Sequence, residues 1–347
     1  MTEPSSTLDA LNPTASAAAA ALPATRMRAI YQASYGPPSS LGMCELPVPE
    51  PGPDGVLVRV QAAALHVGDV FAVRGTPLPM RLATGLFKPS YGVPGFDVAG
   101  TVSAVGARVT QLRVGDAVFG TCKGSCAELV ATQASTLAPI PSGLDFAGAA
   151  ALPTSGLAAL HALRDVAKLA PGQRLLINGA AGGVGLFALQ LGKIYGAHVS
   201  GVCSTRNVEL LRSLGADEVI DYTRDDFTRG AQRYDVILDN IENRNLTDLR
   251  RALTPDGMLI CNSGTGARGM RMLIRLLKPL LLNPFVRHKL RRYLSQPNSA
   301  DLRTLADFVS RGALRRVIDA TYPLQETPAA LNHIEAGHAR GKVIVKI

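Results

Sequence analysis

Apolar and polar positions alternate in two successive styles along this chain. Between residue 27 and about residue 138 the apolar runs are short and separated by Gly and Pro: Gly55-Val-Leu-Val-Arg-Val60, residues 98–105, Ala117-Val-Phe119 and residues 127–131. Short alternating runs with turn residues between them predict an antiparallel, barrel-like unit. The style changes near Ala149. Arg174-Leu-Leu-Ile-Asn178 has the continuous apolar character of a buried strand. It leads directly into a glycine-rich stretch and then a helical pattern ending near Tyr195. Strand runs at 198–203, 218–220, 234–238 and 258–261, with a helix over 207–214 stopped by Gly215, continue the series. Strands alternating with helices predict parallel βαβ units. A helix around 302–310 and a last run over 342–347 follow, and there is no internal repeat. The expected class is α/β: a doubly wound parallel sheet joined to an antiparallel β-barrel.

Length and composition sharpen this. A chain of 347 residues is long for one domain, and 47% hydrophobic with 18% charged residues is a globular balance. The longest apolar run, 274–285, contains Arg275, Lys278, Pro279 and Pro284, so it does not predict a membrane span. The first 25 residues are rich in Ala, Ser, Thr and Pro and carry no base. That composition predicts a disordered tail over residues 1–26 rather than a secretory signal. Five scattered cysteines (Cys44, Cys122, Cys126, Cys203, Cys261) fit reduced thiols in a cytoplasmic protein. Cys122 and Cys126 lack a second Cys/His pair at ligand spacing, so no metal is expected there.

Charge is localised. Residues 257–300 contain no acid, and eight bases within them account for nearly all of the net charge of +9. Arg271, Arg275 and Lys278 fall on one helical stripe, with Met272, Leu273, Leu276 and Leu280 largely on another side. Three readings stay open at this point: a solvated helix face, a cover over a substrate entrance, or peripheral contact with anionic lipid through residues 268–294. Nucleic acid is not expected as a partner, because no recognised binding module accompanies the charge.

The candidate chemistry begins at Gly179-Ala180-Ala181-Gly182-Gly183-Val184-Gly185, set between a strand and a helix. Glycines there let the backbone turn tightly and approach a pyrophosphate, whose charge meets the helix N-terminus. A fold that prefers NAD usually places Asp or Glu about 20 residues on, at the ribose 2′-hydroxyl. Here Cys203-Ser204-Thr205-Arg206-Asn207 offers hydroxyls and a guanidinium instead, with no carboxylate before Glu209. Arg makes charge-assisted bonds to phosphate oxygens, so the expected cofactor is NADPH.

The glycine loop, Pro94-Gly-Phe-Asp-Val-Ala-Gly100, Val114-Gly-Asp-Ala-Val-Phe119, Ala151-Leu-Pro-Thr-Ser-Gly156, Leu214-Gly-Ala-Asp-Glu-Val-Ile-Asp-Tyr222 and Asp235-Val-Ile-Leu-Asp-Asn240 together resemble the medium-chain dehydrogenase/reductase superfamily. They look most like its quinone oxidoreductase and enone reductase branch. The resemblance implies a GroES-like catalytic domain over residues 27–149 and 294–347 around a Rossmann domain over 150–293, in a homodimer. It implies cofactor contacts at Ser204, Tyr222 and Asn240; the full expected set adds Thr154, Ala181, Gly182, Gly183, Val184, Arg206 and Ser263.

Zinc-dependent relatives hold their catalytic ion with a Cys, a His-Glu pair and a third Cys or His. Those positions fall here on His66, on Phe96-Asp97 and within Pro153-Thr154-Ser155. One imidazole does not make a site that needs three protein ligands. No metal is therefore expected, and simple alcohol oxidation loses its Lewis acid. The expected reaction is hydride transfer to the C=C bond of an α,β-unsaturated carbonyl or to a quinone. His66 is the candidate proton donor, since imidazole exchanges protons near neutral pH, although a lone histidine is equally a structural residue. Phe71 stands where some quinone reductases carry Tyr. The alternatives are a zinc-independent carbonyl or alcohol dehydrogenase and a non-catalytic NADPH-binding protein.

Overall fold

The computed structural model describes residues 25–262, 283, 286–337 and 339–347. Its strands are β1 (Arg26–Tyr31), β2 (Gly42–Pro47), β3 (Gly55–Leu65), β4 (Asp97–Val105), β5 (Ala117–Thr121), β6 (Leu129–Gln133), β7 (Leu137–Pro139), β8 (Arg174–Asn178), β9 (His198–Cys203), β10 (Glu218–Asp221), β11 (Tyr234–Asp239), β12 (Leu253–Cys261), β13 (Lys289–Arg292), β14 (Ile318–Pro323) and β15 (Lys342–Lys346). The helices are α1 (Val67–Arg74), α2 (Arg81–Thr84), α3 (Phe146–Ala150), α4 (Pro153–Leu160), α5 (Gly183–Ile194), α6 (Val208–Ser213), α7 (Leu246–Arg251), α8 (Ser299–Ser310) and α9 (Thr327–Glu335).

Two large sheets organise these elements. One runs β14-β15-β3-β4-β5-β7, with β6 also paired to β3. The other runs β10-β9-β8-β11-β12-β13 and is parallel throughout. That second order reverses direction beside β8, the arrangement of a doubly wound dinucleotide fold. The hairpin β1–β2 attaches to the first sheet through Ile30 N–H, which donates to Cys126 O at 3.0 Å.

Two features differ from the expectation. The first sheet is antiparallel except for β14 and β15, which run parallel. The physical reason is α9, which lies between them in the chain and supplies the crossover a parallel pair requires. Within the basic segment, β13 adds a sixth strand to the parallel sheet; only Leu290 of its four residues is buried. Arg26 already pairs in β1, one residue inside the expected tail. The stripe Arg271, Arg275 and Lys278, and Ser263, lie outside the described residues. Among the described residues, no helix is long and apolar enough to cross a membrane.

One apolar core joins the sheets. Ala62, Ala64 and Ala99 of the first sheet pack in the same cluster as Leu157 and Leu160 of α4 and Leu175 and Ile177 of β8. Small side chains on the barrel face let α3, itself burying Gly148, Ala149 and Ala150, approach β3 and β4 closely. Leu157 and Leu160 are almost wholly buried, so truncating either to Ala costs about 2–5 kcal/mol. Pro153 at the first turn starts α4 without losing a needed N–H. α5 buries Leu186, Phe187, Leu189 and Leu191 and stops before Gly196, whose φ of 75° suits glycine.

Candidate active site

The carboxyl ends of the parallel strands gather on one edge. Asn178 of β8 is in register with Val202 of β9 and with Asp239 of β11, and Asp221 of β10 pairs with Cys203. The glycine loop, Ser204, Arg206, Tyr222 and Asn240 therefore leave the sheet side by side, at the point where the strand order reverses. Ligands of open α/β sheets bind at such a reversal.

The loop fits a pyrophosphate. Gly182 caps α5 with extended backbone, and no side chain caps the helix, so the first-turn N–H groups of Gly183 and Val184 have no side-chain acceptor. A Cβ added at Gly182 would meet only Gly179 O, at 3.5 Å, which leaves room for a ligand. At Gly185 the same atom would lie 2.3 Å from Gly179 O, so that glycine is required for the helix to pack on the strand. Ala181 is buried, while Gly182, Gly183 and Val184 are half-buried at the surface of the cradle.

Beyond β9, Ser204 is half-buried and Thr205 and Arg206 are exposed. A carboxylate does stand nearby, supplied by the end of β10 rather than by β9. Thr205 Oγ1 donates to Asp221 Oδ2 at 2.5 Å, and Thr223 donates to Oδ1 through its amide and its hydroxyl. These bonds, the Thr205 hydroxyl foremost, hold the Asp221 carboxyl below the usual carboxylate range. The sequence reading missed Asp221, although it stands next to Tyr222 within one of the quoted motifs. Across the edge, Asn262 Nδ2 donates to Asn240 Oδ1 at 2.8 Å. Beneath them, buried Asp239 accepts from Asn178 Nδ2 and from the amides of Ile241 and Glu242. Burial pushes its carboxyl up.

His66 sits on the other sheet, as the N-cap of α1. Its Nδ1 accepts from Gly68 N–H at 2.9 Å, and Asp69 Oδ2 accepts from the His66 amide at 2.7 Å, forming a reciprocal cap. Gly68 makes this possible, because a Cβ there would lie 2.6 Å from His66 Cε1. Burial raises the Asp69 carboxyl above its ordinary range. Phe96 stacks on the imidazole with ring centroids 5.8 Å apart. His66 Nε2 is buried and has no hydrogen-bond partner among the described residues.

Asp97 links this group to the cradle. Its Oδ1 accepts from the amide and the hydroxyl of Thr154, at 2.9 and 2.5 Å. Its Oδ2 accepts from Lys342 Nζ at 2.9 Å, and both partners are wholly buried. Gly341, next to Lys342, donates its N–H to Ala181 O at 3.2 Å. A continuous path thus runs from His66 through Phe96-Asp97 and Lys342 to the glycine loop. Thr154 faces Asp97 on that path. Among the described residues, no group of three or more His, Cys, Asp or Glu is placed to hold a metal ion. Burial pushes the Cys122 and Cys126 thiols well up, against the thiolate a metal requires.

Known proteins match along nearly the whole chain. Residues 52–171 match the family model described as the alcohol dehydrogenase GroES-like domain, and residues 214–345 the model described as zinc-binding dehydrogenase. A chloroplast envelope quinone oxidoreductase homolog of Arabidopsis thaliana is 30% identical, covering 92% of this chain and 98% of that protein. The NADPH-dependent alkenal/one oxidoreductase of the same plant is 31% identical, covering 92% and 79%. Among solved structures, the quinone oxidoreductase from Coxiella burnetii is 31% identical, with a TM-score of 0.81 over 93% of this chain and 99% of that one.

The chain belongs to the medium-chain dehydrogenase/reductase superfamily. Within it, the chain falls in the quinone oxidoreductase and enone reductase branch. It is an oxidoreductase of this type, with a Rossmann sheet and a GroES-like domain, a nicotinamide cofactor and a small-molecule substrate.

Proposed function

We propose that this chain uses NADPH, without a metal ion, to reduce the C=C bond of an α,β-unsaturated carbonyl or a quinone. The observation that carries the reading is the unpartnered Nε2 of His66. Because Nδ1 accepts a backbone N–H, the neutral imidazole carries its proton on Nε2, as a buried donor in need of an acceptor. A substrate carbonyl oxygen supplies that acceptor. When bound, NADPH provides the hydride for the β-carbon or the quinone ring. His66 Nε2–H then stabilises the charge that gathers on the carbonyl oxygen, with Gly68 and Asp69 holding the ring in place, and a proton taken up from solvent completes the reduced product. Stacked on the imidazole, Phe96 keeps water from that face. At the metal position of zinc-dependent relatives, Asp97 is neutralised by Lys342 and capped by Thr154, which supports the metal-free reading.

For the cofactor, the first-turn amides at Gly183 and Val184 suit the pyrophosphate, and Ser204 with Arg206 suits the 2′-phosphate. Thr154, Ala181, Gly182, Tyr222, Asn240 and Ser263 complete the proposed contacts. The relative named as NADPH-dependent supports this choice. The reading extends to a cytoplasmic homodimer divided into residues 27–149 with 294–347 and residues 150–293. The pairing of β15 with β3 on one side and β14 on the other supports that division, and β13, at the sheet edge among the described residues, offers a ladder to a second copy. His66→Ala tests the central residue. Loss of one well-placed donor lowers kcat by about 10²–10³-fold, whereas unchanged kcat/KM on the best enone or quinone removes His66 from the reaction.

A further inference from the structure

Two hydroxyls follow β9, and their hydrogen bonds set them apart. Ser204 Oγ accepts from Asn207 Nδ2 at 3.3 Å, which leaves its own proton to donate elsewhere. Thr205 Oγ1 has already committed its proton to Asp221 Oδ2, at 2.5 Å. Thr223 fills the other side of that carboxylate, donating to Oδ1 from its amide at 3.0 Å and from its hydroxyl at 2.8 Å. Both threonine hydroxyls, 3.1 Å apart, therefore turn their protons toward one carboxylate.

Thr205 stands between Ser204 and Arg206, the pair that suits a 2′-phosphate. The Asp221 carboxylate is thus one hydrogen bond from the middle of that pair. The sheet fixes it there: Asp221 is in register with Cys203, and Tyr222 N–H donates to Cys203 O at 3.0 Å. Asp221 is largely buried, and Arg224 Nε, 3.7 Å away on a side chain 74% exposed, offsets only part of its charge. A phosphate held by Ser204 and Arg206 therefore meets an anion on its protein side.

We propose that Asp221 is a specificity-determining residue that tempers the preference for a 2′-phosphate, by withholding the Thr205 proton and by placing a negative charge beside the phosphate. This rests on the NADPH reading above, which brings a 2′-phosphate to Ser204 and Arg206. Asp221→Asn has the same shape and reverses both effects. Its Oδ1 keeps the bonds from Thr223, its Nδ2 donates to Thr205 Oγ1, and the Thr205 hydroxyl is released to donate outward. Removal of a screened charge alone tightens binding of the phosphate by about two- to fivefold.

Calorimetric binding of adenosine 2′,5′-bisphosphate and of adenosine 5′-monophosphate tests this without turnover, because the two differ only at the 2′-phosphate. In Asp221→Asn the Kd for the bisphosphate is expected to fall by about two- to fivefold or more, with the monophosphate Kd little changed. An unchanged ratio, or equal weakening of both ligands, overturns the proposal and leaves Asp221 as a brace for the turn. A second pair of variants reads the hydroxyls without touching Asp221. Ser204→Ala is expected to weaken the bisphosphate by about tenfold or more, and Thr205→Val by less than about twofold; an equal loss in both also overturns it. The cofactor reading fails separately. A wild-type preference for the bisphosphate that Asp221→Asn leaves unaltered keeps NADPH and sinks the role of Asp221. A wild-type preference for the monophosphate that reverses in Asp221→Asn keeps that role and sinks NADPH.

Discussion

The buried pair of Lys342 and Asp97 gives the sharpest energetic prediction. The Lys342 ammonium is 1% exposed, the Asp97 carboxylate is fully buried, and they lie 2.9 Å apart between the barrel and the cradle. Lys342→Met keeps the length of the side chain and removes the charge. Asp97 then retains its two bonds from Thr154 but faces the core as an uncompensated anion. Breaking one side of a buried pair costs about 3–5 kcal/mol. At about 2–4 °C per kcal/mol for a unit of this size, Tm falls by about 6–20 °C. Thermal unfolding followed by circular dichroism reads the shift directly. The double variant Asp97→Asn/Lys342→Met removes both charges and is expected to recover about half of the loss or more, since the pair is coupled. A single-variant shift below about 3 °C, or a double variant no better than the sum of the singles, refutes the reasoning. Because Gly341 bridges the glycine loop, the single variant also weakens NADPH binding, visible as a raised KM.

Other outcomes follow from the same geometry. Gly185→Ala pushes a Cβ into Gly179 O, so stability falls by about 1–3 kcal/mol and NADPH affinity drops with it; cofactor titration by fluorescence checks this. Arg206→Ala removes charge-assisted bonds worth about 1.5–3 kcal/mol and raises KM for NADPH about 10- to 150-fold; an equal rise for NADH contradicts the 2′-phosphate assignment. Just beyond the end of α4, the Arg164 guanidinium holds the Asp301 carboxyl of α8 well below the usual range, with Asn298 and His161 adding hydrogen bonds. A depressed carboxylate stabilises the fold above its unfolded pKa of about 3.9 and loses that contribution as pH falls toward its folded value. Asp301→Asn is therefore expected to lower Tm at pH 7, with the gap to wild type closing below about pH 4; a gap that stays constant to pH 3 argues against it.

Local pattern made much of the fold legible. Strands β8 and β11 hold the apolar runs Leu175-Leu-Ile177 and Val236-Ile-Leu238, and the glycine loop stands between strand and helix as its mechanism requires. The pairing of β14 with β15 was not legible, because direction depends on α9 and on the register with β3. Strand β13 was hidden by its composition: Lys289-Leu-Arg-Arg292 reads as a basic surface and buries Leu290 alone. At the site, His66 was visible through its motif. Its tautomer was not, although Asp69 three residues on is the spacing of a reciprocal helix cap. Lys342 escaped notice because its partner is 245 residues away. Asp221 escaped because the carboxylate beside Thr205 comes from the next strand. Contacts of this kind are created by the sheet and leave little trace in short windows of sequence.

Product analysis tests the central claim most directly. Purified protein treated with a chelator, then given NADPH and an enone, is followed by absorbance decay and by NMR of the product. The account predicts undiminished turnover and a saturated carbonyl compound. An allylic alcohol as product, or activity lost to the chelator and restored by zinc, contradicts it.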